Sequence, residues 1–488
     1  MALVLAACGE AQTASTTTAA PATTTAAAVT AAPTTAAAAP TAVTEVPATT
    51  AEAASVIPQG DPVTIEFTSD HSSGLRGKSM QWALAEYAKL RPSVNVRYTP
   101  QPGDFIDTFA IKIAAGSESE TALLEGGFFF QHVDSFTQIN DVVDKHPDFQ
   151  PDQYYFVPDT YTTNFDLDVP LTTEMAGPQF GMPYQGVLSG LRYNIDLFEG
   201  AGVDPPGEDW TWGSQVTEAA KQLTNPDGSS FGIISSGGSD PHQVGPPCWG
   251  YGGTQWYNPD GSGMGTLQNG GIDGMRLLVS WVRDLKVSPA VDAGKELAGE
   301  FGNPFEAGKV GMFPARVSDI GGPQNAIGDR FRWGIAPMPL GDVSGDRPVH
   351  KNDQPHFVTS SAQRKGTVEP SVDFLVFLAG PVVQDRKAID RGDMPVWKAS
   401  FETPEALAGP PEGMEWVKHT ADLAEFRTWQ FYTGVHGELA GFRGMLHAAW
   451  TGDQTVEQAA ETAHAHVQRV WAENQESLDA AMQKYGGM

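Results

Sequence analysis

PVTIEF, at residues 62–67, alternates apolar and polar side chains with the two-residue period of a half-buried strand. The next stretch, KSMQWALAEYAKLRP (78–92), changes period: Met80, Ala83, Leu84, Tyr87 and Leu90 fall on one helical face. Pro92 stops that helix, because its ring removes a donor and crowds the preceding turn. VNVRYTP (94–100) returns to strand, and DFIDTFAIKIAAG (104–116) reads as a helix capped by Asp104 and stopped by Gly116. TALLEGG (121–127) is a buried strand running into a loop. Strand, helix, strand, helix, strand at this spacing predicts a parallel α/β sheet, since parallel neighbours need a crossover. Ligands gather where the carboxyl ends of such strands meet loops, here residues 69–74 and 125–128.

Farther along, GMPYQGVLSGLRYNIDLFEGAGVDPP (181–206) reads as strand, Asn194 cap, short helix, glycine stop and proline pair. TWGSQVTEAAKQLTNPDGSSFGI (211–233) gives a capped helix, an Asn-Pro-Asp-Gly turn and another strand. A second NPDG at 258–261 lacks the alternating carboxylates of a calcium loop and is read as a turn. At 488 residues the chain exceeds what one small core needs, so two compact units and a tail are expected. Lys and Arg number 30 against 59 Asp and Glu, a formal charge of −29. That balance argues against a nucleic-acid partner and against anionic lipid, both of which call for basic patches. Downstream of the N-terminus there is no run of about 18 apolar residues to span a bilayer.

The first residues resemble the end of a bacterial lipoprotein signal. Leu5-Ala6-Ala7-Cys8 fits the lipobox, in which cleavage leaves a cysteine that carries lipid. MALVLAA has no basic segment and a very short apolar core, so the true start is expected upstream of Met1. Residues 9–57 are almost wholly Ala, Thr and Pro, with Glu10, Glu45 and Glu52 as charged members. Such a segment offers no large side chains to offset the entropy of ordering, and it is expected to be a disordered tether. About 50 flexible residues reach roughly 40 Å r.m.s.. Cys248 is then left without a disulfide partner, so stability must come from a large core.

Several blocks, in this order and spacing, resemble one family. They are residues 181–184 (GMPY), LRYNIDLFEGAGVDPP, Thr211-Trp212, FEAGKVGMFPARVSDIG (305–321), WGIAPMPLG (333–341), SVDFLVFLAG (371–380), MPVWKA (394–399) and AWTGDQTVEQA (449–459). Over most of residues 61–488 the chain is similar to the family 1 extracellular solute-binding proteins of ABC importers, which include the maltodextrin-binding proteins. The resemblance implies an α/β, type II periplasmic-binding-protein-like fold, two lobes that close on ligand about a hinge. It places residues 1–8 in the signal remnant and 9–60 in the linker. Lobe 1 is then 61–185 with 356–400, and lobe 2 is 186–355 with 401–488. The crossings should fall near 182–188, 350–358 and 396–403. Closure of this kind couples capture to a shape that a transporter can read.

No G-x-x-x-x-G-K-[ST] loop is present, so ATP hydrolysis belongs to another chain, and there is no G-x-S-x-G elbow. His464 and His466 point to different faces of a predicted helix, a poor metal pair. Adjacent tyrosines bind ferric ion in related proteins, but Tyr154-Tyr155 precedes the first crossing and is read as packing. No cofactor and no metal are expected. Sugar needs aromatic faces for its C–H groups and planar polar groups for its hydroxyls. HQVGPPCWGYGGTQWY (242–257) concentrates Trp249, Tyr251 and Trp256 in what reads as a Gly/Pro loop of the second lobe. A loop pinned by its own aromatics would look the same. Asp70, His71 and Glu125 follow first-lobe strands, and Tyr184 and Gln185 sit at the first crossing. Arg316 stands where family members often place a stacking aromatic. Asp353 and His356 lie on the second crossing, Trp397 leads into the third, and His436 and Glu438 precede the last helical pair.

The function so implied is that of a monomeric, non-enzymatic lipoprotein receptor. It captures a sugar, an oligosaccharide or glycoside, outside the cytoplasm and presents it to the permease subunits of an ABC importer. A binder of a charged solute (glycerol phosphate or a polyamine) and an anchored glycan-degrading enzyme are the alternatives. If Cys8 carries the anchor, Cys8→Ser expressed with a complete signal should move the protein from the membrane fraction to the soluble one. Retention in the membrane would refute the lipobox reading.

Overall fold

The computed structural model describes residues 62–101, 105–155, 162, 177–235, 240–258, 260–423, 426–427, 439 and 441–485. Cys8, the expected tether, Asp104, His436 and Glu438 lie outside them. The strands are β1 (Val63–Ser69), β2 (Val94–Pro100), β3 (Thr121–Leu123), β4 (Gly181–Asn194), β5 (Phe231–Ile233), β6 (Val310–Arg316), β7 (Trp333–Ala336) and β8 (Lys351–Val358). Their order is β2-β1-β3-β8-β4-β6-β5, with β7 also paired to β4.

The first half of this sheet is the parallel β/α unit expected from residues 62–127. β1 runs parallel to β2 from Val63 opposite Val94 to Ser69 opposite Pro100, and parallel to β3 on its other side. The helix between β1 and β2, Gly74–Leu90, buries Met80, Ala83 and Tyr87 as the periodicity predicted, while Leu84 is half-buried and Leu90, in the last turn, is exposed. TALLEGG is a strand only over three residues, and a helix, Gly126–Gln131, begins where a loop was expected.

β4 and β8 join the two halves. β8 pairs antiparallel with β3 on one side and with the first part of β4 on the other. The ladder slips between Pro183 and Gln185, where proline has no N–H to give. Past Leu188, β4 leaves β8 and pairs with β6 and β7. All 14 residues of β4 are buried. The first two expected crossings fall on this ladder. The third contains no strand: Met394 bridges to Gly186, and a short 3-10 helix follows at Ala399–Phe401.

Local sequence signals explain most of the second half. Asn194 Oδ1 accepts from the Leu197 N–H at 3.0 Å, and Gly202 closes that helix in the left-handed conformation. Thr211 does not cap the next helix; its hydroxyl donates to Asp342 instead, and the helix opens with a π turn, Trp212–Val216. The stretch expected as a Gly/Pro loop is a helix, Pro241–Gly250. Asp240 caps it by accepting from the His242 N–H at 2.9 Å, and Pro241 occupies the first turn, where its missing donor costs nothing.

One apolar cluster fills the second half, with Trp212, Trp249, Trp256, Tyr257, Trp281 and Phe442. A second runs from β1 (Ile65, Phe67) through Tyr184 to Val317 and Trp333, so it passes beneath the ladder into both halves. A buried ion cluster pins the first half. Asp373, on the helix Val368–Ala379, accepts from Tyr87 Oη at 2.7 Å and from Arg91 Nη2 at 3.1 Å, with His146 Nε2 at 3.1 Å. Burial alone would raise its pKa, but the hydrogen bonds and the arginine charge hold the carboxyl below the usual range. Among the described residues no helix is long and apolar enough to cross a membrane. Asp373→Ala leaves three groups without their anion and should lower unfolding free energy by about 3–5 kcal/mol in urea titration.

Candidate functional site

At the carboxyl end of β1 the chain turns sharply, and hydrogen bonds lock the turn. The Ser69 and Tyr98 hydroxyls are 2.8 Å apart, Tyr98 Oη donates to His71 O at 2.8 Å, and Ser72 N donates to Asp70 O at 2.7 Å. This holds the Asp70 side chain out, 45% exposed, and turns the His71 ring inward to 1%. Glu125 stands one loop away, just before the helix Gly126–Gln131. Solvent reaches Glu125, yet protein hems it in, and desolvation pushes its carboxyl above the ordinary range. The charges of Arg316, Asp70 and Arg443 all act on it.

Arg316 closes β6, in the second half, and is half-buried. Its charge reaches Glu125, Asp240, His242 and Asp393, which makes it the cation shared by both walls. Its backbone is fixed from behind: Arg192 Nη2 donates to Arg316 O at 2.6 Å and to Asp319 O at 3.0 Å. Among the described residues the Arg316 guanidinium and the Glu125 carboxylate each make no hydrogen bond or ion pair. Neither charged group is thus engaged, and the two are near enough for the Arg316 charge to act on Glu125.

A group of buried, mostly polar residues lies close by. Tyr184 and His356 stack with ring centres 4.1 Å apart, and His71 lies 5.6 Å from Tyr184. Lys387 Nζ sits 3.8 Å over the Tyr184 ring and also donates to Tyr184 O. Gln185 donates to Gln354. Gln384 ties Tyr184 O to the third crossing by accepting from the Val396 N–H at 2.8 Å. Burial lowers the Lys387 pKa to about 7 and the His71 pKa to about 3. A matching pair lies across the ladder: His242 Nδ1 shares a 2.8 Å hydrogen bond with Ser189 Oγ, and His350 sits 5.0 Å from His242.

The site residues expected from sequence therefore divide. Asp70, Glu125 and Arg316 come together at the cleft surface. His71, Tyr184, Gln185 and His356 come together in that buried group. Asp353 is buried on β8 opposite Gly186. Trp397 packs edge-on against Tyr154, with centres 5.4 Å apart, so that tyrosine is packing. Trp249 and Trp256 do not form an open wall: they are 2% and 1% exposed and pack on each other at 5.2 Å. Trp249 Nε1 further donates to Thr266 Oγ1 at 3.3 Å. The helix turns Trp249 into the apolar core of the second half, and Trp256, beyond the helix, packs against it there. Tyr251 remains partly exposed beside Asp342. Sequence reasoning missed Arg76, Asp393, Asp319, Asp240 and Lys387. The Asp240-Pro241 start was legible as cap and first-turn proline. Arg76 and Asp393 meet across 317 positions, and no local pattern marks such a pair.

Residues 72–385 match the family described as bacterial extracellular solute-binding protein. The chain belongs to that family. Among curated proteins none matches its sequence. Solved structures share its two-lobe α/β fold at low identity. An ABC substrate-binding protein from Listeria monocytogenes, in complex with cycloalternan, is 19% identical, with a TM-score of 0.68 over 84% of this chain and 100% of that one. The cyclic alpha-maltosyl-1,6-maltose binding protein from Arthrobacter globiformis gives 18%, 0.67, 84% and 100%. The GacH receptor of Streptomyces glaucescens, solved unliganded and with acarbose, gives 18%, 0.66, 84% and 98%.

The buried imidazoles make this solute-binding protein acid-sensitive. His71, His242, His350 and His356 all sit below the ordinary histidine pKa because burial disfavours the cation. Above about pH 6.5 both folded and unfolded chains carry them neutral, and stability does not depend on them. Below it the unfolded chain takes protons that the folded one refuses, so stability falls toward about pH 3, by up to about 1.4 kcal/mol per pH unit for each ring. The raised carboxyls of Asp393, Glu125 and Asp240 act in the opposite sense and offset part of this. Calorimetry should show Tm dropping from pH 6.5 to 5 with proton uptake on unfolding. A flat Tm would mean that the rings are charged in the fold.

Proposed function

We propose that this protein captures a neutral sugar, an oligosaccharide or glycoside, by cleft closure and delivers it to the permease of an ABC importer, held at the membrane through lipidated Cys8. The observation that carries the reading is an unengaged acceptor, Glu125, beside the half-exposed carboxylate of Asp70, which lies 3.7 Å from His71 Nε2, with an unengaged donor fork, Arg316, in the other half. Sugar hydroxyls are donors and acceptors at once and can satisfy both walls. A site built to hydrogen-bond hydroxyls also rejects analogues that lack them. An anion would meet Asp70 and Glu125, and a polyamine would meet Arg316 and Arg443, so each charged alternative carries a like-charge penalty. The saccharides named with the Listeria, Arthrobacter and Streptomyces structures are of the proposed class.

A thermal-shift screen of mono-, di- and oligosaccharides tests the reading, since saturation at 100 Kd adds about 2.7 kcal/mol of stability. With a ligand in hand, Glu125→Gln and Arg316→Ala should each weaken binding by roughly 10- to 150-fold, the loss of one charged hydrogen bond. The apo melting temperature should stay unchanged. For a neutral sugar the Arg316→Ala loss should vary little with ionic strength. A steep salt dependence would point to an anionic ligand.

A further inference from the structure

Arg76 touches both lobes. It lies in the first turn of the helix after β1, and its Nη2 donates to Asp393 Oδ1 at 2.5 Å. The same Nη2 is 3.9 Å from Asp319 Oδ2, beyond the end of β6 in the other half. Asp393 is a fixed mount for this arm. It is buried, its other oxygen lies 3.8 Å from His71 Nε2, and the Lys387 charge acts on it. Asp319 is fixed too: its carbonyl accepts from Arg192, and its Oδ1 accepts from the Gly322 N–H at 3.2 Å. Beside the pair, Gly321 N donates to Arg391 O at 3.0 Å. A Cβ on Gly321 would stand 2.3 Å from Leu75 Cδ1 and 2.8 Å from Arg391 O, so the lobes meet here without room for a methyl group. Arg391 is itself fastened, through hydrogen bonds from its guanidinium to Ala408 O and Pro410 O.

We infer that Arg76 and Asp319 form an interlobe clasp that stabilises the closed cleft without touching the solute. The inference rests on the capture reading above. The Arg76 and Asp319 side chains are 25% and 35% exposed, so the pair belongs with modest, partly solvated ion pairs. That strength suits a contact that must form and break in each cycle.

The test combines affinity with the separation of the lobes. Asp319→Asn keeps the acceptor for Gly322 and removes the charge; it should weaken sugar binding about two- to fivefold with an unchanged apo Tm. Asp319→Lys sets two cations together and should weaken binding at least about tenfold. Arg76→Gln keeps a donor for Asp393 but removes the cation that Nη2 presents to both carboxylates. In that background Asp319→Asn should therefore have almost no effect. An equal effect in both backgrounds would place Asp319 on the ligand and overturn the clasp. Spin labels on Ile111→Cys and Val343→Cys, exposed positions of opposite halves, read the separation directly in Cys8→Ser protein. Asp319→Lys and Gly321→Ala should both lengthen that distance. If no saccharide binds the wild type, the sugar reading has failed, and the label distances still decide the clasp. Identical distances in wild type, Asp319→Lys and Gly321→Ala would refute it.

Discussion

Everything in this molecule hangs on the antiparallel ladder between β4 and β8. Among the described residues these strands alone carry the sheet from one half to the other, and each has partners on both sides. β4 is buried along its whole length, and β8 shows solvent only part of Asn352 and Gln354. Polar members of the ladder, Gln185, Ser189, His350, Asp353 and His356, are consequently held inside the protein. A waist two strands wide resists sliding, because a slip of one residue would turn every side chain to the wrong face. It resists twisting far less, which is the freedom a closing cleft needs.

Burying so much polarity at the waist is expensive, and the structure offsets that cost in two ways. The imidazoles stay uncharged, and the charges that remain come in tight groups: Arg76 with Asp393, and Lys387 against the Tyr184 ring and carbonyl. Replacing either group with apolar packing could leave stability unchanged. What it would remove is definition. Arg192 shows this, since its guanidinium sets the carbonyls of Arg316 and Asp319 and so aims both side chains at the first lobe.

The first half of the fold was legible because its signals are local. Alternation made β1 and β2 and a single helical face made the intervening helix, and in the second half Asn194 with Gly202 bounded another helix by equally local signals. The segment 242–257 misled because glycine and proline mark loops on average, whereas Asp240 and Pro241 begin a helix here. That error moved Trp249 and Trp256 from an expected wall to the core. Asp70, Glu125 and Arg316 were legible because strand ends are where the chain can spare a charged side chain. Arg76, Asp393 and Asp319 were not, since each is an ordinary surface residue until the fold brings distant segments together.

The sheet order also fixes when this protein can be completed during its own synthesis. β3 finds one of its partners only in β8, and Leu123 must wait for His356. At ribosomal speeds of roughly 5–20 residues per second, the first lobe stays unfinished for some tens of seconds after its opening strands emerge. Throughout that interval one edge of β3 stays unpaired, although Ala122 and Leu123 already have Phe109, Phe129, Ile65 and Met80 to pack with. The first lobe's sheet is therefore closed by a strand made last among its members, and its edge is paired only when β8 arrives.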